Sequence, residues 1–231
     1  MALKDELESH VKGVFSSRWD ILKGQKVPES EDLKLGNDAV ELEATVLYAD
    51  LDGSTNLVDG YKPFFAAEIY KNYIYCAAKI IRSHGGVITS YDGDRIMAVY
   101  IGKNKNTSAA KTALKINWAV LNIINPEIKN QYNNGYEVKQ VVGIDTSKLT
   151  AARTGIRGSN DIVWVGRAAN YAAKLTELSS DYPSRLTAEV YSRLAEEAKY
   201  EGSPRRSMWE SVRWTNMNDM QIYRSNWYWG L

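Results

Sequence analysis

The chain has 231 residues, of which 44% are hydrophobic and 25% charged, so its composition excludes an intrinsically disordered polymer. The 29 basic and 28 acidic residues leave a net charge of +1, which excludes an overall field that would attract nucleic acid or an anionic membrane. The single cysteine, Cys76, excludes an internal disulfide framework, and the acidic first residues do not resemble a signal peptide. We therefore expect a cytoplasmic protein with no nucleic-acid partner and no membrane insertion.

The first part of the chain is predicted to be an amphipathic helix followed by a linker. Apolar residues recur at helical intervals between Leu3 and Leu22, which predicts one helix with an apolar stripe. The stretch Gly24 to Asp38 is polar and contains Gly and Pro, which is typical of a linker. We therefore divide the chain into an N-terminal helix and linker, residues 1–38, and a main domain, residues 39–231.

The main domain is predicted to alternate strands and helices in a recognisable order. Hydrophobic periodicity and turn residues predict, in chain order, strand Ala44 to Asp50, helix Phe64 to Ser83, strands Val87 to Tyr91 and Arg95 to Ile101, helix Thr107 to Ile124, which Pro126 should end, and strand Tyr136 to Asp145. This order predicts an α+β fold with a ferredoxin-like split βαβ core, in which helices pack on an antiparallel-rich sheet.

The remaining elements extend this core toward an aromatic C-terminal tail. We expect strand Asp161 to Val165, helix Arg167 to Glu177 and helix Ala188 to Ala198. Between Met208 and Leu231 the density of Trp and Tyr predicts final strands that cover the core or a subunit interface.

Two aspartates are expected to form a cation site. Asp50 ends the first predicted strand and Asp94 opens the third, at the tip of the hairpin that should pair with it. Two carboxylates about 4 Å apart near a surface repel each other by roughly 4 kcal/mol, and a bound cation relieves this repulsion. Oxygen ligands of this kind suit Mg²⁺ or Mn²⁺. Asp52 and Asp92 are alternative ligands, and a single Asp in such a turn more often only caps it.

The segment between the first strand and the following helix is expected to bind phosphate. Its small residues and free backbone amides lead toward a helix N-terminus, an arrangement that suits a triphosphate. The backbone of Leu51 is expected to add an oxygen to the metal shell. The predicted substrate-binding residues of this segment are Leu51, Asp52, Gly53, Ser54 and Thr55.

Three segments resemble a known family. VLYADLDGSTN, Val46 to Asn56, and GGVITSYDGDRIMAVY, Gly85 to Tyr100, are similar to the two metal-binding segments of class III nucleotidyl cyclases. IVWVGRAANYAAKL, Ile162 to Leu175, resembles the family segment in which a glycine precedes a helix that carries an Asn and, four residues later, an Arg. The three segments occur in the family's order, and this joint occurrence is more specific than any one of them.

The resemblance implies a head-to-tail homodimer with two active sites that both chains complete. It implies that Asp50 and Asp94 of one chain hold two divalent cations, Mn²⁺ or Mg²⁺, while Asn170 and Lys174 come from the other chain. Residues four apart share a helix face, so both side chains can point into one site. Asn170 would orient the ribose and Lys174 would stabilise charge at the α-phosphate. Lys174 stands where the family usually has Arg, so a compact ammonium replaces a planar guanidinium with several fixed donors.

The base-recognition positions depart from both purine patterns of the family. Purine-using members carry Lys or Glu where this chain has Ser90, and Asp or Cys where our alignment places Val163. The bulky Tyr48 and Tyr91 are expected to narrow the pocket. This combination resembles the pyrimidine cyclases of Pycsar anti-phage defence, which implies UTP as substrate, cyclic UMP as product and a separate effector protein. The exocyclic group at the fourth ring position is an acceptor in uracil and a donor in cytosine, so a donor such as Arg95 or Ser90 would favour uracil.

Several alternatives remain open at this stage. CTP is the second pyrimidine candidate, and a purine cyclase with an unusual base pocket would perform the same chemistry on ATP or GTP. A non-catalytic nucleotide-binding module is the alternative from another class. A diguanylate cyclase ranks last because its glycine-glycine-acid-acid-aromatic hairpin is missing from YDGDRIM.

Overall fold

The computed structural model describes residues 2–231, which form two compact units. The first unit contains the residues up to Glu43 together with Lys148–Gly166, and the second contains Ala44–Ser147 and Arg167–Leu231. The helices are α1 (Leu3–Ser16), α2 (Ser54–Gly60), α3 (Pro63–Ser83), α4 (Lys105–Ala119), α5 (Asn125–Gln131), α6 (Arg167–Thr176) and α7 (Ala188–Ser192). The strands are β1 (Asp20–Lys23), β2 (Asp38–Asp52), β3 (Val87–Asp92), β4 (Arg95–Tyr100), β5 (Lys139–Ile156), β6 (Ser159–Val165), β7 (Ser184–Thr187), β8 (Tyr200–Glu201), β9 (Arg206–Ser207), β10 (Glu210–Trp214) and β11 (Met220–Ser225).

In the first unit, the N-terminal helix is shorter than predicted. Helix α1 ends at Ser16, where the Asn37 side chain donates to the carbonyl oxygens of Val14 and Ser17, both at 2.8 Å. These bonds satisfy backbone acceptors that a helix end leaves free. The prediction that one helix reaches Leu22 was therefore wrong, because the following residues form β1 parallel to the start of β2. None of the residues of α1 is buried.

The other part of the first unit is a hairpin. Strands β5 and β6 pair antiparallel from Thr150 opposite Val165 to Ile156 opposite Ser159. Arg153 donates to the carbonyl oxygen of Leu33 at 3.1 Å, which connects the hairpin with the segment before β2.

The second unit contains a mixed sheet with the strand order β10-β11-β7-β5-β2-β4-β3. Strands β2, β3 and β4 pair antiparallel, whereas β5 and β7 pair parallel. The four strands β5-β2-β4-β3 have the order of a split βαβ motif, which confirms the predicted α+β ferredoxin-like core. Trp209 and Trp214 of the tail are buried, and β10 and β11 are the predicted final strands.

Helices cover both faces of this sheet. The largest apolar cluster packs α3 and α4 on one face, with Leu47, Tyr73, Ile96 and Ile116 fully or almost fully buried. Helix α6 packs on the other face, where Gly143 of β5 leaves room for it. A Cβ at Gly143 would lie 2.1 Å from the carbonyl oxygen of Ala172, so only glycine permits this approach.

Two helix boundaries differ from the sequence prediction. After α4 the helix widens into one π turn, Val120–Ile124, and continues as α5 through Pro126. The prediction that Pro126 ends the helix was wrong because Pro occupies the first turn of α5, where its missing N–H costs little. The helix predicted from Ala188 ends at Ser192 and is followed by a separate 3-10 turn at Glu196–Ala198. No helix within residues 2–231 is long and apolar enough to cross a membrane.

Replacing Gly143 with alanine should destabilise the second unit by about 3 kcal/mol, because the added methyl group overpacks the contact between β5 and α6. Urea unfolding followed by circular dichroism measures this loss. Gly60→Ala is the matched control, since a Cβ there meets no atom within 4 Å. Equal stabilities of the two variants would contradict the close approach.

Candidate active site

The candidate site lies on the α6 face of the sheet in the second unit. Alternation along β2 buries Leu47 and Ala49 in the cluster under α3 and α4. Tyr48 and Asp50 therefore point to the opposite face. This alternation agrees with the sequence prediction that Tyr48 and Asp50 share a face.

Asp50 is held by side chains from three elements. Its Oδ2 atom accepts hydrogen bonds from Arg95 Nη2 at 2.7 Å and Nε at 3.1 Å. Thr176 Oγ1 of α6 lies 3.4 Å from the same oxygen, and the Tyr73 hydroxyl of α3 donates to the Asp50 carbonyl oxygen at 3.4 Å. Only 15% of the Asp50 side chain is exposed, so its carboxylate depends on these partners.

Asp94 lies in the tight turn between β3 and β4, which Gly93 enables with a φ of 61°. Its Oδ2 atom is buried and has no hydrogen-bond partner. Burial raises the pKa of Asp50, the Arg95 guanidinium opposes this rise, and the negative charge of Asp94 adds to it. The strand register brings the end of β2 beside the start of β4, so Asp50 and Asp94 lie near each other.

The two aspartates fit a divalent cation. A buried carboxylate oxygen without a hydrogen-bond partner destabilises the folded protein. Repulsion from a second nearby carboxylate destabilises the charged forms of both groups further. A hard cation would remove both penalties through oxygen ligands. Within residues 2–231 no three His, Cys, Asp or Glu side chains cluster as a metal site. A cation held by Asp50 and Asp94 would need further ligands, for which backbone oxygens, water and phosphate oxygens are suitable.

The alternative aspartates have other environments. Asp52 is exposed, and its carboxylate accepts a hydrogen bond from Ser180 Oγ at 2.5 Å. Asp92 is exposed at the end of β3. Neither has the buried, unpartnered oxygen of Asp94, so the structure favours Asp50 and Asp94 as the ligand pair.

The predicted phosphate segment forms a sharp turn into α2. Gly53 has a φ of 75° and is followed by Ser54 and Thr55 in the first turn of the helix. The Leu51 side chain is buried in the core, so only its backbone is available to a ligand. Phosphate binding by this segment and metal binding by the Leu51 backbone remain predictions.

Three predicted base-pocket residues lie on the face of Asp50. Tyr48 and Ser90 both oppose Met97 in the sheet register, and the Arg95 guanidinium carbon lies 5.9 Å from the centre of the Tyr48 ring. Cross-strand partners share a face of the sheet. In this structure the Arg95 guanidinium forms an ion pair with Asp50, which occupies donors that could otherwise bind a base.

Two other predicted base-pocket residues lie elsewhere. Tyr91 opposes Ile96, which in turn opposes Ala49, so Tyr91 lies on the face opposite Tyr48. The prediction that Tyr91 narrows the same pocket is therefore wrong, because neighbouring residues of a strand point to opposite faces. Val163 lies on β6 in the first unit, where it opposes Ala152 and is 42% exposed. Its role in base recognition remains a prediction.

Asn170 and Lys174 lie together on the exposed side of α6. Both side chains are exposed, whereas Ala168, Ala169 and Ala172 face the sheet and are buried. The Lys174 ammonium lies 3.9 Å from Met217 Sδ. The predicted pair is therefore available to a molecule that approaches α6 from outside the chain.

Sequence reasoning missed several residues around Asp50. Tyr73, Thr176 and Ser180 contact Asp50 or Asp52, and burial together with the charges of Asp94 and Asp50 raises the pKa of Tyr70. Tyr70 and Tyr73 are three residues apart on one face of α3, a spacing that was visible in the sequence. Thr176 and Ser180 carried no such signal, because their proximity depends on how α6 ends.

Comparison with known families identifies the class of protein. The model of the adenylate and guanylate cyclase catalytic domain matches residues 39–220, which include Asp50, Asp94, Asn170 and Lys174. The chain belongs to this family and is a nucleotidyl cyclase, which confirms the resemblance stated above.

Individual relatives resemble the chain over its whole length. It is 55% identical to a protein of Xanthomonas perforans and 52% identical to one of Burkholderia cepacia, with 99% of both chains covered in each comparison. A protein of Rhodovulum sp. (strain MB263) is 34% identical over 99% of this chain and 98% of its own. All three are named uridylate cyclase.

Solved structures resemble the chain in fold. The guanylyl cyclase Cya2 superposes with a TM-score of 0.68 at 16% identity, covering 82% of this chain and 94% of its own. The adenylyl cyclase CyaB from P. aeruginosa superposes with a TM-score of 0.67 at 18% identity, covering 81% of this chain and 95% of its own. This likeness confirms the predicted nucleotidyl cyclase fold.

Without added metal, Asp94→Ala should be more stable than the parent protein by about 1–3 kcal/mol, because it removes a buried oxygen that lacks a hydrogen bond. Thermal unfolding in a chelator should therefore show a midpoint several degrees higher. Addition of Mn²⁺ should raise the midpoint of the parent and of the exposed-site control Asp92→Asn, and leave Asp94→Ala unchanged. A Mn²⁺ response retained by Asp94→Ala would contradict the cation site.

Proposed function

We propose that this nucleotidyl cyclase converts UTP to 3′,5′-cyclic UMP and pyrophosphate. The cyclase chemistry is inferred mainly from the pair Asp50 and Asp94. The negative charge of Asp94 contributes to the raised pKa of Asp50, and Oδ2 of Asp94 is buried without a hydrogen-bond partner. The choice of uracil is supported by whole-chain likeness to relatives named uridylate cyclase and by the absence of both purine patterns at Ser90 and Val163.

In this proposal Asp50, Asp94 and the Leu51 carbonyl would hold two divalent cations, Mn²⁺ or Mg²⁺. When bound, such ions neutralise phosphate charge and make a ribose hydroxyl a better nucleophile. The 3′-oxygen forms a bond to the α-phosphorus, the bond from that phosphorus to the bridging oxygen breaks, and pyrophosphate leaves as the hydroxyl proton passes to solvent. The backbone amides at Gly53 and Ser54 hold the phosphates before and after this step.

A second chain completes the site. We assign the exposed Asn170 and Lys174 of α6 to the partner's active site in a head-to-tail homodimer, in which Asn170 orients the ribose and Lys174 balances charge at the α-phosphate. Their exposure supports this assignment, because neither side chain is occupied by a strong polar partner among the described residues.

Arg95 links the cation site with the base pocket. In the structure its guanidinium neutralises Asp50 and lies over Tyr48. We propose that a cation bound by Asp50 would take over this neutralisation and leave Arg95 to donate to the exocyclic oxygen at the fourth ring position of uracil, with Ser90 on the same face. Tyr48 limits the width of the pocket to a pyrimidine ring.

We place this activity in the cytoplasm and in anti-phage defence of the Pycsar type, where the cyclic nucleotide activates a separate effector protein. The family resemblance in the base pocket and the names of the whole-chain relatives support this placement.

Product analysis tests the proposal. Purified protein incubated with Mn²⁺ and equal amounts of ATP, GTP, CTP and UTP should yield cyclic UMP as the main product in chromatography with mass detection. Cyclic AMP or cyclic GMP as the main product would overturn the pyrimidine assignment, and cyclic CMP would overturn the choice of uracil.

Asp50→Ala and Asp94→Ala should lose at least about 100-fold in rate while remaining folded, because the cations lose their ligands. Asp92→Asn is the control, with expected rates close to those of the parent.

Tyr48→Ala should lower the preference for UTP over ATP by about 10-fold or more, because it opens the pocket to a larger ring. The measurement is the ratio of kcat/KM values for the two triphosphates. Tyr91→Ala, which opens the other face of the sheet, should leave this ratio within about 2-fold. Equal effects of the two substitutions would contradict the placement of the pocket.

A further inference from the structure

The first turn of α6 is fixed to the sheet by a buried carboxylate. Asp145 of β5 is fully buried and accepts hydrogen bonds from Arg167 Nε at 3.0 Å and Arg167 Nη2 at 3.3 Å. Thr187 Oγ1 of β7 donates to the same carboxylate at 2.5 Å. Both carboxylate oxygens are thus occupied, and the Arg167 fork is held in one orientation.

Further bonds extend this contact into a clamp around the start of α6. Arg167 Nη2 also donates to the Thr146 carbonyl oxygen at 2.7 Å and to Glu189 of α7. The backbone N–H of Ala168 donates to Ser147 Oγ at 2.9 Å. We call Arg167, Asp145 and Thr187 the α6 clamp.

Packing holds the two ends of α6 differently. Its first turns bury only Ala168, Ala169 and Ala172, whereas its last turn buries Thr176 and Leu175, which shares an apolar cluster with Trp214 and Ile222. Small side chains interlock weakly, so the first turns keep some freedom to shift with little loss of contact. A directional ion pair at one end, together with the contact between Thr176 and Asp50 at the other, removes that freedom.

Stability alone gives a poor reason for the clamp. Replacing a buried ion pair with apolar residues of similar size is often neutral or stabilising in other proteins, and retention of such a pair is best explained where it fixes a register. Arg167 is followed three residues later by Asn170 and four residues after that by Lys174, so all three lie along one side of α6. The orientation of Arg167 therefore sets the direction of the other two side chains.

We propose that the α6 clamp is a positioning device that sets the register in which Asn170 and Lys174 are presented to the partner's active site. This inference rests on the proposed function. In this proposal the three clamp residues are positioning residues that bind one another. They act through α6, since a displacement of about 1 Å at reacting groups can lower a rate by about 100-fold.

The test uses a variant in which the clamp is apolar, Asp145→Leu with Arg167→Met and Thr187→Val, so that none of the three clamp side chains is left as a polar group without its clamp partner. We expect a folded protein whose kcat for UTP falls by about 10–100-fold while KM stays within about 3-fold. Arg167→Lys keeps the charge but loses the fork and should show a smaller loss of the same kind. Arg193→Ala is the control, because Arg193 binds Glu189 at 2.7 Å without contacting α6. Parental kcat in the apolar variant would overturn the proposal.

Subunit mixing separates positioning from general damage. The apolar-clamp variant keeps its own Asp50, and an Asp50→Ala chain keeps its own clamp, so a heterodimer of the two contains one complete composite site. Equal mixing should restore about a quarter of the parental activity, since half of the dimers are heterodimers with one such site. No restoration would place the defect in the variant's own metal site and overturn the proposal.

The same experiment with Asp50→Ala and Lys174→Ala chains tests the shared-site arrangement itself. Restoration in this mixture without restoration in the clamp mixture overturns only the role of the clamp. Failure of both mixtures overturns the shared site and the clamp proposal with it. Parental protein that makes no cyclic nucleotide overturns the proposed function first.

Discussion

The repulsion between Asp50 and Asp94 is the constraint on which the rest of the site depends. The fold ends β2 and opens β4 at one place in the sheet, and this brings two carboxylates into range while leaving an oxygen of Asp94 buried without a partner. A protein tolerates this arrangement when a ligand resolves it. Arg95 relieves the repulsion in part by neutralising Asp50, and the cation that we propose would relieve it fully. The same atoms thus account for an unfavourable local structure and for the catalytic role that we propose.

Helix α6 connects this cation site with the second half of the chemistry. Its C-terminal Thr176 contacts Asp50 of its own chain, while its exposed side carries Asn170 and Lys174, which we assign to the partner's site. In this proposal one short helix contacts one site and completes another. The alanine side chains that its first turns bury leave the orientation of this end to the clamp at Asp145 and Arg167.

Much of the fold and part of the site could be predicted because they depend on local patterns. The split βαβ order follows from periodicity and turns, and the pairing of Asp50 with Asp94 follows from that order. The joint occurrence of three motifs gave the cyclase family, which the match over residues 39–220 confirms. The errors arose where a neighbouring segment decided the outcome. Strand β1 replaced the end of the first helix by pairing with β2, and the π turn carried the fourth helix past Pro126.

Local patterns in the chain fix the chemical groups of this protein and the face of a strand or helix on which each lies, because periods of two and 3.6 residues are local properties of the backbone. Which of these groups meet depends on the folded structure. There Arg95 pairs with Asp50, Ser180 donates to Asp52, and Asp145 is buried beneath Arg167. These contacts join residues distant in the chain, and their geometry depends on strand register and on helix packing, which no local pattern encodes.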